Sequence, residues 1–278
     1  MTELDFDLRP PGHTTPPPPP PPRRPIALWI GVAALVIALG VAAYYVFGRG
    51  PSAAPSNAAP AAGAPAADSA LGRGDLNITL PPLEMSDAII RELVGKLSAH
   101  PSVAAWLVTD GLVRNFAVVV VNIAEGRTPA PQLRRLRPTG TFQVIQRGAD
   151  TVIDPRSYDR YTSLAEASAS IDPAGAARLY ASVKPLIDQA YSELGYPDIP
   201  FDRMLERAII RLLETPVVED PIRVEPEGIG WVYADARLED LSGAERQMIR
   251  LGARNQRVVQ GSLRNIALAL GIPAQRLP

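Results

Sequence analysis

The chain of 278 residues contains no cysteine, only two histidines and only two lysines. Without cysteine there is no disulfide and no thiolate nucleophile or metal ligand, although this absence does not choose a compartment. His13 stands in a proline-rich stretch, so His100 is the sole histidine open to a folded domain as general base or ligand. A zinc site of the His and Cys type needs about three or four such ligands and cannot be built from one. His100 lies in Ala99-His100-Pro101 at a helix end, where the macrodipole favours a cation and a structural role suffices. Also missing are Gly-x-Ser-x-Gly, His-Glu-x-x-His, Gly-x-x-x-x-Gly-Lys and Gly-x-Gly-x-x-Gly, and neither Lys96 nor Lys184 has a serine three residues before it. The usual signatures of serine hydrolases, zinc peptidases and nucleotide-binding folds are thus absent, and neither a metal nor a cofactor is expected. Charge of one sign is not in excess either: Lys plus Arg number 28 against 29 for Asp plus Glu. No global electrostatic argument for a nucleic acid partner follows. Arginine supplies 26 of the 28 cations, so a lone arginine cluster is weak evidence of a site.

What is present is one long apolar run. From Ile26 to Gly48, 23 consecutive residues lack charged, amide and hydroxyl side chains apart from the phenols of Tyr44 and Tyr45. As a helix this covers roughly 34 Å, enough for a hydrocarbon core of about 30 Å, and a lone segment in lipid must be helical. Trp29 and the Tyr44-Tyr45 pair sit near opposite ends, where amphipathic rings favour the interfaces. A signal peptide has an apolar region of only about 7 to 15 residues, so the run reads as a permanent anchor. Arg9, Arg23 and Arg24 precede it while Arg49 alone follows closely, which places the N-terminus in the cytoplasm and the C-terminus outside. Residues 1–25 contain an unbroken proline tract, Pro16 to Pro22, read as a stiff polyproline II spacer. Residues 49–75, mostly Ala, Pro, Gly and Ser, read as a linker, with Arg73-Gly74-Asp75 a chance triplet inside it.

Residues 76–278 carry the periodicity of a mainly α domain with one or two small β-hairpins. Asp172 to Leu194 has an N-cap, a proline at the first helical position, apolar residues at spacings of three and four, and a stop at Gly195. Pro185 inside it should kink it. Phe201 to Glu214 is amphipathic, Asp87 to Leu97 and Val103 to Val108 flank a break at Pro101, and Leu112 to Ala124 is apolar enough to be the central buried helix. Ser163 with Glu166, and Ser242 with Glu245, match the capping-box spacing. Hairpins are expected from Phe142–Gln146 with Thr151–Ile153, and from Ile222–Val224 with Gly230–Tyr233.

The order "SDAIIRELVGKLSAHPSVAAWLVTDGLVRNFAVVVVNIAEG", "VIDPRSYDRY", "LYASVKPLIDQAYSELGYP", "MIRLGARNQRVVQGSLRNI" resembles the bacterial family termed domain of unknown function 3014, over about residues 76 to 270. The family pattern commonly has a proline after the glycine at Gly252, where this chain has Ala253. The resemblance implies a membrane-anchored bacterial protein and brings no activity and no site residue with it. Together with the apolar run it points to the inner membrane, with the domain on the outer side.

For chemistry, carboxylates are left. Asp150, Asp154 and Asp159 lie around the first hairpin, Asp198 and Asp202 flank Pro200, and Glu219-Asp220 precede the second hairpin. Two carboxylates about 5 to 9.5 Å apart can hydrolyse a glycoside, but turn and capping roles account for these acids as well. An EF-hand fails because Arg156 stands where a ligand belongs. Arg246, Arg250, Arg254 and Arg257, followed by Arg264, would share about 80° of arc on a continuous helix, a ridge for an anion or an acidic partner, although Gly252 interrupts it. The expectation is a non-catalytic binding or assembly module of the cell envelope with a possible envelope protein partner. The alternative is a carboxylate-dependent glycan hydrolase or transferase using acids such as Asp154 and Asp198.

Overall fold

The computed structural model describes residues 71–72, 78–196, 198–219, 221–228 and 230–278. The tail 1–25, the apolar run 26–48 and nearly all of the linker 49–75 lie outside them. The fold reported is that of the compact unit Ala66–Pro278. Among the described residues no single helix is long and apolar enough to cross a membrane.

The core is built on α1 (Asp87–Gly95), α2 (Pro101–Leu107) and α3 (Leu112–Ala124), with α6 (Pro173–Ser192), α7 (Phe201–Glu214) and α10 (Ala253–Leu270). As expected, α3 is central: Leu112, Val113, Ala117, Val120, Val121 and Ala124 are buried, and it packs on α6 and α7. Its start is capped from outside, because Gly111 (φ +66°) has no side chain to offer. The Asp87 carboxylate, from α1, accepts the Gly111 N–H at 2.7 Å and the Leu112 N–H at 2.8 Å. One turn along α1, Arg91 donates Nε to the Leu107 carbonyl at 2.7 Å and Nη2 to that of Thr109 at 3.2 Å. One helix thereby satisfies the orphan groups on both sides of the α2–α3 corner.

Several expectations need correction. His100 is not the end of a helix but the N-cap of α2, where its Nδ1 accepts the Ser102 N–H at 3.2 Å. A cation is disfavoured at that end. Ser163 does not cap α5 (Thr162–Ala169); Tyr161 holds the N-cap position and the Ser163 hydroxyl pairs with that of Ser102 at 2.9 Å. The capping box of Ser242 and Glu245 is present, opening α9 (Gly243–Ile249). Asp172 caps α6 through the N–H groups of Ala174 and Gly175. Helix α6 is assigned without interruption through Pro185, which is exposed.

Between α3 and α6 lie β1 (Val144–Arg147), β2 (Asp150–Ile153), α4 (Arg156–Asp159) and α5; between α7 and α9 lie β3 (Val224–Glu227), β4 (Gly230–Tyr233) and α8 (Ala236–Glu239). Both hairpins exist, each shifted toward a tight turn: Arg147 faces Asp150 across Gly148-Ala149, and Glu227 faces Gly230. They remain two two-stranded sheets, joined by a single bridge between Val152 and Arg223 and by the Ile153 N–H to the Ile222 carbonyl at 3.0 Å. Their inner faces bury Ile153, Ile222, Val224 and Tyr233 with Tyr158 and Ile249, a second small core beside the main one.

Candidate functional site

A recess lined by charged and polar side chains lies where α9 turns into α10. Gly252 joins the two helices with φ +77° and ψ 153°, a region essentially reserved for glycine. There is also no room for a side chain, since a Cβ at 252 would lie 2.5 Å from Cγ of Tyr158. Asn255, buried, locks the same contact by donating Nδ2 to the Tyr158 carbonyl at 2.9 Å and to that of Leu251 at 3.1 Å. Beside this turn opens a recess of about 260 Å³, lined among others by Asp159, Thr162, Glu219, Gly252, Arg254 and Arg257.

The break at Gly252 divides the arginine ridge. Arg246 and Arg250 stay with the second hairpin: Arg246 is ion-paired to Glu239, and Arg250 reaches the buried Tyr233 phenol. Burial raises the pKa of that phenol, and the Arg250 charge and hydrogen bond oppose the rise. Arg254 and Arg257 meet at the recess. Arg257 is ion-paired to Glu219, whereas Arg254 is exposed and has no carboxylate partner among the described residues. Arg264 lies further on and donates to the Pro278 carbonyl. The two cations and two acids of the recess balance, so any anion preference is local: Arg254 stands in the first turn of an 18-residue helix whose N-cap has no side chain.

Of the acids weighed from the sequence, Asp159 and Glu219 meet at the recess, where Glu219 is ion-paired to Arg257, while Asp150, Asp154, Asp198 and Asp202 are not among its lining residues. Asp154 is buried and gripped by Arg156, through the backbone N–H at 2.9 Å and through Nε at 3.0 Å. The side-chain and backbone hydrogen bonds from Arg156 hold its carboxyl below the usual range, which keeps it ionised and unsuited to proton donation. Asp150 pairs with Arg223 at 3.6 Å, and Asp198 is exposed. Asp202 accepts the buried Tyr180 hydroxyl, the Leu71 N–H at 3.3 Å and a 3.5 Å contact from Lys184. Asp220 lies outside the described residues. No group of three or more His, Cys, Asp or Glu placed to hold a metal occurs among the described residues.

The turn itself is held by residues that periodicity alone passes over. Gln256, 1% exposed, donates Nε2 to the carbonyls of Thr215 and Pro216, both at 3.1 Å. Gln260, one helical turn on, donates to Leu212 at 3.0 Å, Leu213 at 3.3 Å and Thr215 at 2.9 Å. Pro216 ends α7 and has no N–H for the Leu212 carbonyl, and Gln260 fills that vacancy from another helix. The available signal was a pair of glutamines at i and i+4 facing a helix that stops at Thr215-Pro216.

A family model of proteins of unknown function, DUF3014, matches residues 112–267. The chain belongs to this family. The matched stretch runs from the first residue of the central helix α3 into α10, so it takes in both hairpins, the Gly252 turn and the recess. No curated protein and no solved structure matches the chain.

Proposed function

We propose that this member of the family is a single-pass inner-membrane protein whose outer helical domain is a non-catalytic binding or assembly module of the bacterial envelope. The recess at the Gly252 turn takes an acidic group of a partner protein. The observation that carries the reading is Arg254, a cation without a carboxylate partner among the described residues, in the first turn of a long helix and beside a rigidly held recess. Guanidinium and helix start act in the same direction on a carboxylate. The volume of about 260 Å³ suits a side chain or a chain terminus and is small for a length of glycan.

The test is in-cell crosslinking of the full chain and of Arg254→Glu/Arg257→Glu, with partners identified in each. Loss of a specific partner from the variant, at unchanged circular dichroism and melting temperature, supports the proposal. An identical partner set with the fold intact discards it.

A further inference from the structure

A different part of the domain carries a stronger charge asymmetry. Between Glu125 and Asp150 the chain has no acid, yet it contains Arg127, Arg134, Arg135, Arg137 and Arg147. Most of this span is the connection from α3 to β1, whose only regular element is the short 3₁₀ turn Arg134–Leu136. Connections beyond about 12–15 residues without structure of their own are uncommon in compact domains and usually functional. Arg127 pairs with Glu125. Arg134, Arg135 and Arg137 are exposed, and their side chains have no ion pair and no hydrogen bond among the described residues. Elsewhere the domain supplies acids: Arg91, Arg114, Arg156, Arg211 and Arg237 each meet a carboxylate.

The segment is nevertheless held in place. At its start the Ala244 N–H bonds the Gly126 carbonyl at 3.1 Å, and a Cβ on Gly126 would lie 2.8 Å from that of Ser242. At its end Arg160 donates to the Gly140 carbonyl at 3.3 Å and lies 5.8 Å from the Phe142 ring centre, while Ser157 bonds the backbone of Gln143. The arginine turn rests on α2. Three guanidinium groups are thus displayed on a fastened platform, without counter-charges among the described residues.

We propose that this turn docks the domain on an anionic bilayer surface, the guanidinium groups engaging lipid phosphates. The inference rests on the anchor of the proposed function and is independent of the recess. Residues 49–75, even fully extended, reach at most roughly 95 Å, so a bilayer holding the run 26–48 is a large anionic surface that stays within reach of the domain. Guanidinium matches phosphate geometry in pairs of hydrogen bonds. A single arginine near an anionic surface shifts binding by roughly fivefold, so three together shift the ratio of docked to undocked domain by roughly 100-fold.

Since the chain has no cysteine, Thr139→Cys gives one attachment point beside the turn in the full-length protein. An environment-sensitive dye there is read in vesicles of phosphatidylcholine alone, and in vesicles with added phosphatidylglycerol, both containing a lipid-borne quencher. The expected result is strong quenching only with phosphatidylglycerol, weakened by salt, and reduced to the phosphatidylcholine level by Arg134→Glu/Arg135→Glu/Arg137→Glu. Quenching that ignores the headgroup, or survives the triple change in a folded domain, overturns the proposal and leaves an acidic protein as the occupant. An alkaline wash of the same vesicles reads the anchor separately. A chain that washes off refutes the anchor, while headgroup-dependent quenching recorded before the wash still reports on the turn.

Discussion

Replacing Gln256 and Gln260 by leucine, singly and together, tests how the end of α7 is held. Leucine keeps most of the side-chain volume and removes only the amide. In Gln256→Leu the Pro216 carbonyl loses its donor, whereas the Thr215 carbonyl keeps Gln260 at 2.9 Å. Pro216 is exposed, so water can reach its carbonyl, and the single variant should lose about 0.5–1.5 kcal/mol, the net worth of one hydrogen bond. Gln260→Leu orphans the carbonyls of Leu212 and Leu213 while Gln256 still serves Thr215 at 3.1 Å, and the loss is similar. Only the double variant strips Thr215 of both donors. Its destabilisation should therefore exceed the sum of the singles by about 1 kcal/mol or more. In a domain of this size each kcal/mol moves the melting temperature by about 2–4 °C, so thermal or urea unfolding of the four proteins resolves the cycle. Strict additivity, or a neutral Gln256→Leu, would show that water replaces the amides and would refute the shared-carbonyl argument.

Gly252→Ala should destabilise the domain by about 2–5 kcal/mol in urea unfolding, because a positive φ and a contact with the Tyr158 ring act together. Ala253→Pro, in contrast, should be neutral or stabilising by up to about 1 kcal/mol, since Ala253 is the first helical residue and ψ of 153° at Gly252 suits a following proline. Asp154, held low by Arg156, contributes stability that is present above the ordinary aspartate range and lost as pH falls through its depressed value, so Arg156→Ala should flatten the acid limb of a stability–pH curve. If the limb keeps its slope in that variant, the pair contributes nothing.

Legibility varied with how local the deciding interaction is. Helix α7 was predicted with both ends correct because its signal lies within it, an apolar face at the helical period from Phe201 to Glu214. The core role of α3 was equally plain from its uninterrupted apolar character. The capping box at Ser242 held because its two partners are three residues apart, yet the same spacing at Ser163 failed. There the hydroxyl finds Ser102 on a neighbouring helix, and a tertiary partner displaces the local one. The strand ends differ from the expected ones because Arg147 pairs with Asp150 and Glu227 with Gly230, so the ladders close further toward the turns than the expected loops allow.

The sequence by itself determined the helical class, the two hairpins, the family and the poverty of histidine, cysteine and lysine, since periodicity, caps and composition act over a few residues. Tertiary structure alone decided which charges are neutralised. It parted one row of arginines at Gly252, sending Arg246 to Glu239 and Arg257 to Glu219, and among the described residues it left Arg254 and the turn Arg134–Leu136 without carboxylates. An ion pair depends on a distance of a few ångströms between residues far apart in the chain, and only the packed fold sets that distance.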